Sequence, residues 1–360
     1  MRFVQTDKLK PGMILGADIR GPKNELMLAA GQVLTLQQIT RLMNNDFAGL
    51  YITDVYPQKS PEKGIISKKL KDNTVSALSS FLEMVSSRKS ESAVRVYDEL
   101  KYYLNEIIDD ISSDTNVMAN IVDLKVYDNY TYYHCVNVAA LSIMVGAAAG
   151  LNRSGLYKLG MGAILHDLGK IFIPKDILNK PGRLTNDEYE QIKKHCQLGG
   201  DYLRKNWEIP VESVVGVLTH HERCDGSGYP YGLPLNKQTI EGKLIAICDV
   251  YDAMTSERPY RASLSPSEAI EHIIGNSGTM FDPELITIFI KKIAPYPIGS
   301  RVVLSNGIKA TVVRNYPKGL TRPMVEIDEP LNVGGSFERN ILDLFNDVSL
   351  LNITIIGLDK

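Results

Sequence analysis

The segment THHERCDGSGYP, residues 219–230, places two adjacent histidines beside a glycine-rich loop. On a regular helix, His220 and His221 would point about 100° apart, so one metal could hold both only where the helix bends or ends. Gly226 and Gly228 permit such an ending. Taken alone, a histidine pair is more often a surface feature or a hydrogen-bonded core feature than a metal site, and that alternative stays open at this point.

The remaining histidines cluster around this segment. Of six histidines in 360 residues, five lie within one 88-residue window. They are His134, His166, His195, His220 and His221. Two aspartates extend the set, because Asp167 follows His166 directly and Asp249 lies in the segment CDVYDAM. The intervals between these points are long enough for a helix to leave a site and for the chain to return, which predicts one site built from several helices.

Length and charge limit the class of protein. A chain of 360 residues exceeds the usual size of a single core, so we expect two or three domains. The net charge of −2 argues against a nucleic-acid polymer or a membrane surface as partner. The sequence contains neither an apolar run long enough to span a bilayer nor a signal-peptide core. We therefore expect a cytoplasmic protein without a membrane span.

The pattern of apolar, charged and turn residues predicts a mostly α protein in four parts. They are a small N-terminal α+β module at 1–56, a linker and amphipathic helix at 57–115, an all-α domain at 116–294 that carries the candidate ligands, and a small C-terminal β module at 295–360. Polar residues and two prolines at 57–74 indicate the linker. Asn306-Gly307 between β-type runs indicates a hairpin. Three residue pairs predict capped helix starts: Thr35 with Gln38, Thr185 with Glu188, and Ser265 with Glu268.

A helical pattern runs from Val75 to Ile111, with apolar residues on one side. This face either pairs with a second copy in a homodimer or packs on its own domain. The pattern offers only two or three heptads, fewer than a coiled coil normally needs, so both alternatives stay open.

The segment around Asp167 combines ligands with a positive charge. Asp167 can lie between two metals about 3.5–4 Å apart. Lys170 shares a helix face with His166, so it either contacts an anion beside the metals or forms an ordinary salt bridge with Asp167. Five imidazoles and two carboxylates would hold about +4 of metal charge against −2, and this excess would attract phosphate and acidify a water. The pattern indicates phosphoester hydrolysis.

Four segments together resemble the HD-GYP subgroup of the HD metal-dependent phosphohydrolases. They are HDLGK at 166–170, His195, HHERCDGSGYP at 220–230 and CDVYDAMTSERPYR at 248–261. The resemblance covers residues 120–294, about half the chain. It implies a bacterial signalling enzyme that hydrolyses cyclic di-GMP to linear pGpG and onward to GMP at a dimetal site.

The same resemblance implies a role for each matching residue. One metal would be held by His134, His166, Asp167 and Asp249. Asp167 would bridge to a second metal held by His195, His220 and His221. Lys170, Arg258 and Arg261 would contact phosphate, Tyr229 would line the substrate pocket, and Asp167 and Lys170 would serve catalysis. Some members bind a third metal through a glutamate where this chain has Tyr130, a poor ligand for a hard ion, so we expect two metals.

Metal identity and the cysteines leave alternatives open. Imidazole and carboxylate ligands suit Fe, Mn, Zn, Co or Ni better than Mg or Ca, and the resemblance favours Fe or Mn. All four cysteines lie within three residues of a candidate ligand: Cys135, Cys196, Cys224 and Cys248. They either pack as small apolar side chains or sense redox conditions.

Three functions compete on the sequence alone. The first is an active cyclic di-GMP phosphodiesterase, which the complete ligand set favours. The second is a catalytically weak cyclic di-GMP receptor that signals through its flanking modules. The third is an HD hydrolase of another cyclic dinucleotide or phosphoester.

Overall fold

The computed structural model describes residues 2–16, 19–20, 26–29, 31–43, 49–53, 65–87, 93–113, 130–180, 182–256, 263–316, 318–333 and 337–359. Helices occupy the middle of the chain and strands its two ends. The strands are β1 (Arg2–Gln5), β2 (Ile14–Leu15), β3 (Ile19–Arg20), β4 (Leu26–Leu28), β5 (Gly49–Thr53), β6 (Arg301–Leu304), β7 (Lys309–Arg314), β8 (Met324–Val333), β9 (Phe337–Asp343) and β10 (Ile355–Leu358). The helices are α1 (Leu36–Met43), α2 (Lys68–Ser87), α3 (Ala93–Ser113), α4 (Tyr130–Ala148), α5 (Arg153–Leu165), α6 (Lys175–Leu178), α7 (Asn186–Lys193), α8 (His195–Asn206), α9 (Val211–Thr219), α10 (Ile240–Thr255), α11 (Pro266–Gly275) and α12 (Pro283–Ile290).

The helix α2 begins inside the stretch that composition assigned to a linker. Residues 68–74 form its first two turns, and Lys71 is only 7 % exposed. The Lys71 ammonium lies 5.7 Å from the ring centroid of Tyr133 on α4. A long charged side chain can cover apolar surface with its methylene stem, and for this reason the polar composition concealed a packed helix.

The predicted helical pattern from Val75 to Ile111 is divided between α2 and α3, and residues 88–92 between them lie outside the described ranges. The apolar side of α3 is buried in the same core as α4, α5 and α10. Its fully buried members include Leu100, Leu104 and Ile107. The face that the sequence offered for a homodimer is therefore covered within the chain, which favours the intramolecular alternative.

The two ends of the chain form separate small cores. The N-terminal part contains a three-stranded antiparallel sheet in the order β1-β5-β2, a β3-β4 pair and the helix α1. The C-terminal part is a five-stranded antiparallel sheet in the order β10-β6-β7-β8-β9. Gly307 has φ of +82° in the turn between β6 and β7, as the Asn-Gly signal predicted. The mostly α fold class is confirmed.

Local hydrogen bonds explain where the helices begin. The capping boxes predicted at Thr185 and Ser265 are both present, with side chain and backbone bonded reciprocally to Glu188 and Glu268. Thr35 and Gln38 make the same pair of bonds before α1. Among the helices of the described ranges, none is both long and apolar enough to cross a bilayer.

Asp282 begins α12 and ties it to α10, the helix that carries Asp249. Its carboxylate accepts a hydrogen bond from the Glu284 backbone N–H at 2.9 Å and lies 2.8 Å from the Lys243 ammonium. Burial opposes the charge, but these contacts hold the pKa of Asp282 below its usual value. We expect Asp282→Ala to lower the free energy of unfolding by about 2 kcal/mol in urea titrations at pH 7, because a helix cap and an ion pair are lost.

This contribution has a defined pH dependence. Because the pKa of Asp282 is lower in the folded state, its stabilisation is present above the ordinary value of 3.8 and is lost as the pH falls through the folded-state value. The stability difference between wild type and Asp282→Asn should therefore shrink below pH 3.8. Asp201→Ala is the control, since this side chain is 71% exposed and pairs with Arg204 on its own helix. Equal losses in the two alanine variants would contradict the assignment.

Candidate metal centre

Five helices deliver the seven predicted ligands to one cluster. His134 lies on α4, His166 and Asp167 directly follow α5, and His195 is the first residue of α8. His220 and His221 directly follow α9, and Asp249 lies on α10. Neighbouring imidazole rings in the cluster have centroids 4.1 to 5.3 Å apart. The helix does end at the histidine pair, so both rings can face the same space.

Three histidines are oriented by their own helical turn. The Nδ1 atoms of His166, His195 and His220 lie 2.7, 2.7 and 2.8 Å from the backbone oxygens of Ala163, Ile192 and Val217, each three residues earlier. A carbonyl oxygen can only accept, so each Nδ1 must donate its proton. In the neutral tautomer that this contact selects, each Nε2 carries a bare lone pair, which is the form that binds metal.

The bare nitrogens face one another. His195 Nε2 and His220 Nε2 are 3.3 Å apart, and neither has a proton to share with the other. Two nitrogens at about 2.0–2.1 Å from one ion in tetrahedral geometry would be about 3.4 Å apart. The pair therefore fits a shared cation and would repel without one.

The second half of the cluster contains His134, His166, Asp167 and Asp249. His134 Nε2 lies 3.0 Å from Asp249 Oδ1, and His166 Nε2 lies 3.5 Å from Asp167 Oδ2. Two buried atoms, His166 Nε2 and Asp167 Oδ1, find no hydrogen-bond partner among the described residues. Buried polar atoms without partners are rare in native proteins, and an ion would satisfy both atoms.

Asp167 reaches both halves. Its Oδ2 lies near His166, and its Oδ1 lies 3.6 Å from His195 Nε2. Lys170 Nζ also lies 2.6 Å from Oδ2, so the salt bridge left open by the sequence is present. Burial opposes the carboxylate charge, but Lys170 and the surrounding histidines hold the pKa of Asp167 well below its usual value.

Asp252 orients His134 and was missed by the sequence analysis. Its Oδ2 lies 2.6 Å from His134 Nδ1, and its Oδ1 accepts a hydrogen bond from Asn137 at 3.0 Å. Burial alone would lower the pKa of His134, but the contacts to Asp249 and Asp252 raise it to about 9. The signal was available, since Asp252 lies three residues after Asp249 and Asn137 three residues after His134.

Burial holds His195, His220 and His221 neutral. Burial lowers the pKa values of His195 and His220, and it lowers that of His221 to about 4. The adjacent imidazoles add to the effect for His220. Neutral rings at physiological pH are ready to bind a cation without losing a proton.

The loop after the histidine pair folds back over the cluster. Tyr229 stacks on His221 with ring centroids 4.8 Å apart, and its backbone N–H donates to the His221 oxygen. A Cβ at Gly228 would lie 2.3 Å from the Arg223 nitrogen, so only glycine allows this return. The buried carboxylate of Glu222 accepts hydrogen bonds from the backbone N–H groups of residues 231 and 233 and thereby shapes the loop.

Two lysine side chains lie beside the cluster. The side chain of Lys170 is about one-third exposed, and Lys193 Nζ lies 5.6 Å from the centroid of the Tyr229 ring. No sequence motif marks Lys193. Arg258 and Arg261, predicted as phosphate contacts, lie outside the described residues.

The short 3-10 turn Leu168–Phe172 carries Lys170 and packs directly on α8. A Cβ at Gly169 would lie 1.9 Å from the His195 carbonyl oxygen and 2.7 Å from the Gly199 nitrogen. The two backbones therefore touch, which fixes Asp167 relative to His195.

One of the four cysteines lies in the cluster. All four are buried and free. Among the described residues, the sulfur of Cys196 joins a group of ligand atoms, together with His195, His220 and His221, in which all atoms lie within 4.8 Å of one another. A separate group consists of His134, His166 and Asp167. The two groups together make a cluster that could bind metal.

Known proteins carry similar sequences over this region. A family model described as an HD domain matches residues 107–285. A cyclic di-GMP phosphodiesterase of Pseudomonas aeruginosa is 36% identical over 229 residues, covering 62% of this chain and 55% of that protein. A 3′3′-cGAMP-specific phosphodiesterase of Vibrio cholerae is 38% identical over 165 residues, covering 45% of this chain and 37% of that protein. The chain thus spans about half the length of these relatives or less.

A solved structure shares the fold. Bd1817, an HDG“Y”P protein from Bdellovibrio bacteriovorus, matches with a TM-score of 0.53 at 16% identity, covering 80% of this chain and 97% of that chain. At this identity the likeness concerns the fold alone, and it supports the mostly helical architecture.

Proposed function

This chain belongs to the HD domain family through residues 107–285, which confirms the resemblance in its motifs, and we propose that it is a metal-dependent phosphodiesterase hydrolysing cyclic di-GMP. The observation that carries the proposal is the cluster of five imidazoles and two carboxylates in which bare Nε2 atoms face one another 3.3 Å apart. The named activity of the Pseudomonas aeruginosa relative supports the choice of substrate.

The donor set suits two divalent transition metals. His134, His166, Asp167 and Asp249 would hold one ion, and His195, His220 and His221 the other, with Asp167 serving both. Iron or manganese agrees best with the family resemblance, while zinc, cobalt and nickel are also compatible with these ligands. When bound, such a pair supplies Lewis acidity towards a phosphoryl group and lowers the pKa of water in the site.

The chain's own residues bind and orient the diester. Lys170 projects from the turn beside Asp167, and its side chain, about one-third exposed, can contact a phosphate oxygen. Tyr229, whose ring stacks on His221, would line the substrate pocket. Lys193 lies over the same ring and also pairs with Glu190 at 2.5 Å. Arg258 and Arg261 remain proposed phosphate contacts on the strength of the resemblance.

Lys170→Met tests whether the ammonium acts on substrate or only pairs with Asp167. A phosphate contact predicts a fall in kcat/KM of about 10²-fold at unchanged metal content, because a charge that stabilises the transition state is lost. Steady-state kinetics and elemental analysis on the same samples measure both. Lys158→Met is a matched control, since Lys158 is 33% exposed, compared with 32% for Lys170, and also pairs with one carboxylate. If the metal content of Lys170→Met falls in proportion to its activity, the role of Lys170 is limited to its ion pair with Asp167.

The direct test is turnover of cyclic di-GMP by metal-loaded protein, with the products separated by chromatography. Formation of pGpG or GMP supports the proposal. Binding without turnover would instead support the receptor alternative. The same assay with 3′3′-cGAMP tests a second candidate substrate, which the Vibrio cholerae relative suggests. Inertness towards both dinucleotides would overturn the assignment.

A further inference from the structure

We propose that Cys196 supplies a sulfur ligand to the metal held by His195, His220 and His221. The inference rests on the proposed dimetal centre but goes beyond it, because the family resemblance assigns imidazole and carboxylate ligands only. It also replaces both earlier alternatives for this cysteine, apolar packing and redox sensing.

Distances within the group carry the argument. Cys196 Sγ lies 3.5 Å from His195 Nε2, and His195 Nε2 lies 3.3 Å from His220 Nε2. With Asp167 this set has five donors, whose angles at one ion lie between about 90° and 120°. Nitrogens at about 2.0–2.1 Å and sulfur at about 2.3 Å from the ion then lie about 3.1–3.8 Å apart for sulfur to nitrogen and about 2.9–3.6 Å apart for nitrogen to nitrogen. Both observed distances match.

Burial supports the assignment. Cys196 has no exposed surface, and the unpartnered Asp167 Oδ1 faces the same group from 3.6 Å. Cys248 is equally buried and directly precedes the candidate ligand Asp249, yet its sulfur joins no such group within the described residues. Proximity in sequence to a ligand therefore does not by itself place a sulfur at the cluster.

Coordination changes the charge of the site. The thiol releases its proton to solvent as the sulfur–metal bond forms, since a coordinating thiol is deprotonated by the cation. One thiolate and two carboxylates then oppose about +4 of metal charge. A thiolate also favours Zn, Co and Fe over Mn at this half of the centre.

The test uses cobalt as the probe in the full chain. Cobalt-loaded wild type should show a sulfur-to-cobalt charge-transfer band in the near ultraviolet, and Cys196→Ser should lose it. The matched control Cys248→Ser should keep the band. In competition between zinc and manganese, Cys196→Ser should shift the ratio of bound metals towards manganese by at least about tenfold.

X-ray absorption on the zinc-loaded wild type tests the same point without a substitution, because a sulfur scatterer at about 2.3 Å should appear. Absence of both the band and this scatterer in protein carrying two metals would overturn the proposal, as would a band that persists in Cys196→Ser. In those cases the proposed function would still stand, because its ligand set of five imidazoles and two carboxylates needs no sulfur. Failure of the protein to bind any metal would overturn both the Cys196 proposal and the proposed function.

Discussion

Asp167→Asn should reduce kcat/KM for cyclic di-GMP by at least about 10³-fold, equivalent to about 4 kcal/mol of transition-state stabilisation. The reason is that the two oxygens of Asp167 serve different halves of the cluster, one 3.6 Å from His195 Nε2 and the other 3.5 Å from His166 Nε2. An asparagine of the same shape keeps one acceptor oxygen and turns an NH₂ group towards the other half. Elemental analysis should show metal content falling together with activity.

Asp176→Asn is the control for this substitution. Asp176 is exposed on α6 and lies nine residues after Asp167, so loss of its charge should leave both activity and metal content unchanged. Thermal unfolding of metal-free Asp167→Asn should show that the fold persists. Full metal content with wild-type turnover in Asp167→Asn would contradict the assignment of Asp167 to both halves of the cluster.

Gly169→Ala should disable the centre although it replaces no ligand. The added Cβ would lie 1.9 Å from the His195 carbonyl oxygen, which is backbone and cannot rotate away. The Leu168–Phe172 turn must then separate from α8, and a displacement of about 1 Å at a catalytic group costs about 10²-fold in rate. We expect at least that loss in kcat/KM, together with about 2–3 kcal/mol of stability from overpacking.

Gly275→Ala provides the comparison, because a Cβ there meets nothing within 4 Å at the end of α11. Urea unfolding and kinetics on both variants separate local displacement from a general glycine effect. Wild-type activity in Gly169→Ala would show that Asp167 and His195 need not be held by this contact.

Features encoded by neighbouring residues could be predicted from sequence. The capping boxes at Thr185 and Ser265 depend on side chains three residues apart, and the Gly307 turn depends on one residue that accepts positive φ. The family resemblance rests on side chains of specific chemical types. The seven candidate metal ligands that it identifies lie in one cluster in the structure.

Features decided by distant packing were not predicted. Composition predicts a linker at the start of α2 because Lys71 and its neighbours are polar, although the Lys71 side chain is buried. The strands β9 and β10 were not foreseen, since each is defined by its pairing with β8 or β6 rather than by a strong apolar pattern. The role of Asp252 was not predicted, because it depends on a contact with His134, 118 residues away in the sequence. The position of Cys196 likewise depends on helices from three parts of the chain.

The Nδ1 atoms of His166, His195 and His220 each contact the carbonyl oxygen three residues earlier, and these contacts affect how metal ions would bind and exchange. Because a carbonyl three residues earlier fixes the tautomer of each ring, its Nε2 lone pair faces the cluster before an ion arrives. No proton has to move between the two nitrogens of these rings when a metal binds. Loading of these nitrogens should therefore be governed by passage through the rim of the cluster, while binding of Cys196 to the same ion also requires loss of the thiol proton. His134 differs, since its ring must shed a proton held by two aspartates, and filling of that half should slow as the medium becomes more acidic.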